Sequence, residues 1–113
     1  MNIQIFGKPK CFDTKKAERY FKERRVKFQR IDLIVVGMSR GEFNSVKAAV
    51  GLEAMIDKTV SGSELLTYLA YDSDREEKLI ENPEFMKTPI VRNGKKATVG
   101  NCPEVWKTWE QFD

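Results

Sequence analysis

The sequence predicts an α/β fold in the order βαβ, helical insert, ββα, built on a mixed four-stranded sheet. Three observations predict it. The chain opens with an apolar run, an amphipathic stretch and a second alternating run, the pattern of two parallel strands joined by a right-handed crossover. Near the other end, Asn93-Gly94 stands between two apolar runs, a strong hairpin signal. Between these parts lie three Ser-led capping-box patterns, each followed by apolar residues at helical spacing. The 113 residues make one domain, 1–113, with the insert over about 39–82.

Taken in order, residues 2–6 form the first strand. Residues 13–25 form the first helix, with Ala17, Tyr20 and Phe21 on its inner face and Lys15, Lys16, Glu18, Lys22 and Glu23 in water. Residues 26–31 form the second strand, with Val26 and Phe28 alternating. Ser39-Arg40-Gly41-Glu42 opens a helix that buries Phe43, Val46 and Val50 and stops at Gly51. Residues 52–57 make a further short helical turn. Ser61-Gly62-Ser63-Glu64 is a second box before Leu65, Leu66 and Leu69. Ser73-Asp74-Arg75-Glu76 is a third, before Leu79 and Ile80, and Asn82-Pro83 closes that helix. Residues 89–92 and 96–99 pair across the Asn-Gly turn. The last helix starts at about Pro103, capped by Asn101 or Cys102, with Val105, Trp106 and Trp109 on its apolar side.

Composition excludes several chemistries. With 41% apolar and 33% charged residues the chain has the make-up of a soluble globular protein. Its net charge of +3 comes from 20 basic and 17 acidic residues that are well mixed, so nucleic-acid binding is not indicated. Lys22-Glu23-Arg24-Arg25-Val26-Lys27 is the densest basic cluster and reads as the solvated end of the first helix. No leader segment and no membrane span are evident, so a cytoplasmic location is expected. There is no histidine, which removes Ser-His-Asp triads, Cys-His pairs and His-containing zinc sites. Two cysteines alone do not hold a metal, and no phosphate-cradling glycine loop is present. No bound cofactor and no metal are expected.

Cys11 carries the chemistry. It stands in Gly7-Lys8-Pro9-Lys10-Cys11-Phe12-Asp13-Thr14, after a strand and at the opening of a helix. Helix-start N–H groups and the charges of Lys8, Lys10, Lys15 and Lys16 favour a thiolate there. The plainer alternative is a cysteine that packs as a small hydrophobe, which an apolar strand interior would suit better than a lysine-rich loop.

The element order is the thioredoxin-type arrangement. It places Cys11 at the end of the first strand and Thr88-Pro89 at the opening of the third, where that fold has a cis X-Pro bond against the cysteine. The fourth strand returns to the same edge, bringing Gly100, Asn101 and Cys102 near Cys11. Free N–H groups at the start of the last helix would hold an anion, such as a carboxylate of glutathione. Thr88, Pro89, Gly100 and Asn101 are therefore the expected substrate or glutathione contacts.

The cysteine loop, Asn82-Pro83, Lys87-Thr88-Pro89-Ile90-Val91 and Val99-Gly100-Asn101-Cys102-Pro103-Glu104-Val105-Trp106 together resemble the ArsC/Spx family over nearly the whole chain. The resemblance implies a thioredoxin-like fold with one essential cysteine, here Cys11. It implies glutathione or a glutaredoxin as reductant. In arsenate reductases of that family the oxyanion is held by arginines, whose positions fall here on Asp57, Thr88 and Asn101. None is basic, and an aspartate repels an oxyanion, which argues against arsenate as substrate. Lys58, Lys87 and Arg92 are the basic residues that could compensate, but lysine is a point charge rather than a planar fork. Redox-sensing members carry a CxxC pair, but the second position is Thr14, whose hydroxyl is free to cap the helix or bond the thiolate. Cys102 has two readings, a resolving thiol for a mixed disulfide on Cys11 or an unpaired helix-start cysteine.

Three functions follow. The first is a monomeric thiol-dependent oxidoreductase with Cys11 as nucleophile and Lys8, Thr14, Lys15, Lys58 and Lys87 as supporting groups. The second is an Spx-like regulatory module that docks a protein partner, with Arg24-Arg25-Lys27 as a docking patch. The third is an arsenate reductase that uses lysines in place of arginines.

Overall fold

The computed structural model describes residues 1–110. A four-stranded sheet runs through its middle. Strand β1 (Ile3–Gly7) leads through a short loop into helix α1 (Phe12–Glu23), which returns the chain to β2 (Phe28–Asp32). β1 and β2 are parallel, with Gly7 opposite Asp32 at the end nearest the loop. β3 (Ile90–Asn93) lies antiparallel to β1 on its other side, and β4 (Lys96–Val99) closes the hairpin. Gly94 takes a positive φ of 60°, which the Asn-Gly turn requires. The sheet is mixed and four-stranded, as expected, with the spatial order β2-β1-β3-β4.

Alternation along β1 divides the core. Ile3 and Ile5 face α1 and the last helix, α5 (Pro103–Glu110), and pack with Ala17, Phe21, Val91, Trp106 and Trp109. Phe6 faces the helical insert and packs with Ile31, Leu33, Phe43, Met55, Met86 and Ile90. The fully buried Trp106 donates its indole N–H to Thr98 Oγ1 at 2.7 Å, so its polar atom is satisfied inside the core.

The insert begins with α2 (Arg40–Val50) and α3 (Leu52–Met55). Ser39 forms a complete capping box with Glu42, as the local pattern requires. The other two boxes do not form. Gly62, in a left-handed conformation (φ 93°), takes the cap position expected of Ser61, so no side chain caps the 3₁₀ helix Ser63–Tyr68, and Ser63 is buried. In a 3₁₀ helix residues three apart align, so Ser63 and Leu66 turn inward and Leu65, expected inside, is exposed. Helix α4 (Asp72–Glu81) starts one residue before Ser73, from Tyr71, which makes no side-chain cap bond; Asp72 and Asp74 occupy its electropositive first turn. Val105 is also exposed, because the inward positions of α5 go to Trp106 and Trp109. After α1, Arg25 takes a left-handed turn (φ 58°), and Val26 falls outside β2, which starts at Phe28. Among the described residues no helix is long and apolar enough to cross a membrane.

Candidate functional site

The edge formed by the C-terminal ends of β1 and β2 carries Cys11. The chain leaves β1 at Gly7, and the Cys11 N–H bonds to the Lys8 carbonyl at 3.2 Å, closing a turn. Cys11 is itself the cap of α1, in extended conformation (φ −87°, ψ 115°), and its carbonyl accepts from the Lys15 N–H at 3.3 Å. Its thiol is partly exposed, and Sγ donates to the Thr88 carbonyl at 3.6 Å. The Thr88–Pro89 bond is cis, and both residues are buried. The Pro89 carbonyl in turn accepts from the Gly100 N–H at 2.8 Å. Three segments distant in sequence therefore meet at the cysteine: the loop after β1, Thr88-Pro89, and the Gly100 turn.

Thr14, three residues after Cys11, is 1% exposed, and its Oγ1 is buried with no hydrogen-bond partner. Such an orphan is costly, so its surroundings matter. Gly7 permits it: a Cβ at that position would lie 2.2 Å from Thr14 Cγ2 and 2.9 Å from Oγ1. The strand end and the first helical turn are thus pressed together around this hydroxyl.

The thiol titrates below its ordinary value. Partial burial pushes it up, but the Thr14 and Thr88 hydroxyls, and the N–H groups of Thr14 and Asp13, pull it down further. As a thiol, Cys11 donates to the Thr88 carbonyl and leaves Thr14 unpaired. As a thiolate it becomes a strong acceptor, which is what the Thr14 hydroxyl lacks.

The lysines stand differently from the sequence expectation. Lys8 is half-buried; its Nζ donates to the Glu84 carbonyl at 2.8 Å and lies 3.9 Å from Asp57 Oδ2. Burial lowers its pKa, against the raising pull of Asp57, Cys11 and Glu84. Lys10 is exposed. Lys15 lies over the Phe12 ring at 5.7 Å, Lys16 pairs with Asp13 at 3.7 Å, and Lys58 pairs with Glu53 at 3.5 Å. Lys87 is exposed, held by its N–H to the Met55 carbonyl, and its charge reaches Asp57 and Cys102. Arg92 is turned to Gln4 and Ser45 on the insert side of the sheet. The charge of Cys11 is among those that act on Lys8.

Asp57 is fixed in its ionised form. Burial pushes its carboxyl up, but the Thr59 hydroxyl and N–H, at 2.5 and 3.0 Å from Oδ1, together with Lys8 and Lys87, hold it below its ordinary value. Asn101 is exposed at the start of α5. Cys102 packs against the α1/α5 core, with Sγ 3.4 Å from the Val99 carbonyl. Burial, then Glu104, pushes its thiol up. Both cysteines are free. Gly7 and the Lys8–Asp57 pair are the parts that sequence reasoning missed. The first had a signal in the Gly7 to Thr14 loop; the second joins residues far apart and had none. Among the described residues no group of three or more Cys, Asp and Glu side chains stands close enough to hold a metal ion.

Comparison with known proteins agrees with this layout. Solved structures share the fold across nearly the full length of both chains. The YffB (PA3664) protein aligns with a TM-score of 0.82 at 20% identity, covering 95% of this chain and 97% of its own. An arsenate reductase from Vibrio cholerae aligns at 0.81 and 22% identity, covering 93% and 94%. An ArsC family related protein from Bacteroides fragilis aligns at 0.81 and 17%, covering 96% and 98%. These likenesses establish the thioredoxin-like fold. No curated protein matches the chain by sequence. The model of the ArsC family matches residues 6–109, from strand β1 to helix α5, and the chain accordingly belongs to the ArsC family.

Proposed function

We propose that this protein is a thiol-dependent oxidoreductase in which Cys11 is the nucleophile and glutathione or a glutaredoxin is the reductant. The observation that carries the reading is the buried, unpartnered Thr14 hydroxyl beside a helix-capping thiol whose pKa is lowered. A Cys11 thiolate is a strong acceptor for that hydroxyl, where a neutral thiol is a weak one. Membership of the ArsC family supports the same class of reaction.

The Cys11 thiolate attacks one sulfur of a disulfide substrate. A new Cys11 S–S bond forms, the old S–S bond breaks, and the leaving sulfur departs with the electron pair. A glutathione or glutaredoxin thiolate then attacks the sulfur attached to Cys11. It forms the new disulfide, is itself oxidised, and releases Cys11 as thiolate. Thr88, Pro89, Gly100 and Asn101 line the edge where the small thiol would lie. By the family resemblance Asp57 falls where an arginine would bind the oxyanion; its carboxyl, held below its ordinary value with Thr59 beside it, would set a negative charge against arsenate. Cys102, partly buried against the α1/α5 core, has a raised pKa, and the cycle does not require it. Reducing surroundings, as in the cytoplasm, suit such a cycle.

The test is turnover of a chromogenic mixed disulfide of glutathione, with excess glutathione as reductant. Wild type and Cys102→Ser are expected to turn over at similar rates, Cys11→Ser at the uncatalysed rate, and arsenate to draw no thiol consumption. A wild-type rate equal to that of Cys11→Ser would overturn the reading.

A further inference from the structure

Two short stretches of backbone, 55–57 and 85–87, run side by side just before Thr88. Ile56 bridges Met86 in antiparallel fashion, the Asp57 N–H donates to the Phe85 carbonyl at 2.7 Å, and the Lys87 N–H donates to the Met55 carbonyl at 2.8 Å. Lys8 joins the cysteine loop to both stretches. Its Nζ donates to the Glu84 carbonyl at 2.8 Å and stands 3.9 Å from Asp57 Oδ2. The Lys8 carbonyl accepts from the Cys11 N–H at 3.2 Å, and Cys11 Sγ donates to the Thr88 carbonyl at 3.6 Å. These contacts close a ring that runs from Cys11 through Lys8 to Glu84, along the chain to Thr88, and back to Cys11. Asp57 is fastened to that ring twice, by its carboxylate to Lys8 and by its N–H to Phe85.

The groups whose charges act on Lys8 are Asp57, Cys11 and Glu84. The Lys8 side chain is only 19% exposed and that of Asp57 22%, so water and salt screen their attraction weakly. The two carboxylate oxygens of Asp57 divide the work. Oδ1 accepts from the Thr59 hydroxyl and N–H, and Oδ2 faces Lys8; Lys87 adds a second cation to this carboxylate. A lysine ammonium is a point charge on a flexible stem and turns to the anion that draws it most. Two anions draw this one, the Asp57 carboxylate and the Cys11 thiolate. The other charges of this edge are Lys10; Asp13 with Lys16; Lys15, over the Phe12 ring; and Lys87 and Glu104, which act on Cys102.

We propose that Asp57 is a positioning residue for Cys11: by holding the Lys8 ammonium at the Glu84 carbonyl, it ties the cysteine loop to the segment that carries Thr88 and keeps that ammonium from turning fully to the sulfur. The proposal rests on the reading of Cys11 as nucleophile. It gives a use to a carboxylate that an oxyanion site would not tolerate. A thiolate held more tightly by a cation is more abundant but a weaker nucleophile, so restraining Lys8 preserves the reactivity of the sulfur.

The test is the midpoint of iodoacetamide alkylation against pH in Asp57→Asn, Lys8→Met and the double variant. The full chain is used, in a Cys102→Ser background, so the remaining charges of the edge are the same throughout. Asparagine keeps the shape of aspartate and still accepts from Thr59; methionine keeps the packed stem of lysine and removes the ammonium. Asp57→Asn is expected to lower the midpoint by about half a pH unit as Lys8 turns to the sulfur, and Lys8→Met to raise it by a similar amount. In the Lys8→Met background, Asp57→Asn is expected to leave the midpoint nearly unchanged, the non-additivity of residues that act through one another. Circular dichroism and thermal melts check that each variant is folded. An equal lowering in both backgrounds shows that Asp57 acts by its field alone and overturns the proposal. So does an Asp57→Asn midpoint that is unmoved or raised, whatever happens to the melting temperature. Those outcomes leave the nucleophile intact. The reading of Cys11 as nucleophile fails separately, when Cys11→Ser turns over the chromogenic disulfide as fast as wild type, and the proposal falls with it.

Discussion

Thr14→Val slows alkylation of Cys11 at neutral pH by about tenfold, the effect of losing one hydrogen bond to a charged group worth about 1.5 kcal/mol. Valine keeps the shape of threonine and removes only the hydroxyl. The same substitution is expected to leave folding stability at mildly acidic pH unchanged or raised, because the Thr14 Oγ1 it deletes is buried and unpartnered beside a neutral thiol. The two effects have opposite signs, which separates a thiolate donor from a packing residue. Linkage gives the pH window. The Cys11 pKa is lower folded than unfolded, so ionisation of Cys11 stabilises the fold. That contribution is complete above the unfolded thiol pKa and is lost as pH falls through the folded one. Thr14→Val shrinks it, so any stability advantage of the variant fades as the pH rises toward alkaline values. Thr14→Ser, which keeps a hydroxyl, is expected to restore most of the alkylation rate. Rate-against-pH profiles and thermal melts at acidic and alkaline pH read all of this.

Gly7→Ala is expected to destabilise the protein by roughly 1–3 kcal/mol, the usual cost of forcing an extra carbon into a packed site. The new Cβ would lie 2.2 Å from Thr14 Cγ2, and neither partner can retreat easily. Gly7 is held in the sheet opposite Asp32 and accepts from the Leu33 N–H, while Thr14 is buried in the first turn of α1. Relief by moving Thr14 would pull its hydroxyl from Cys11, so alkylation slows as well. Combining Gly7→Ala with Thr14→Ser removes the nearest clashing atom and is expected to recover part of the lost stability. The two changes are then non-additive, as contacting residues are. Additive losses in the melting temperatures would contradict the contact.

Elements fixed by short-range chemistry were legible in the sequence. The βαβ opening follows from periodicity, the hairpin from Asn93-Gly94, and the start of α2 from a capping box whose four residues suffice to form it. The second and third boxes were misread for a physical reason. Ser and Glu at the right spacing compete with other local devices, and Gly62 in a left-handed turn and an earlier start for α4 prevailed. The thiol setting was half legible. Cys11 at a helix start and Thr14 three residues on are local, but the lysines were expected to gather on the sulfur. Tertiary contacts drew them elsewhere: Lys8 to Asp57 and Glu84, Lys58 to Glu53. The space made by Gly7 was not legible, because a residue without a side chain carries no pattern of its own.

The most direct test of the central claim is the rate of iodoacetamide alkylation of Cys11 against pH, in the Cys102→Ser background. The account predicts a titration midpoint clearly below the free-thiol value of about 8.5, with the midpoint moving up in Thr14→Val. A midpoint at or above the free-thiol value, unmoved by Thr14→Val, would contradict it.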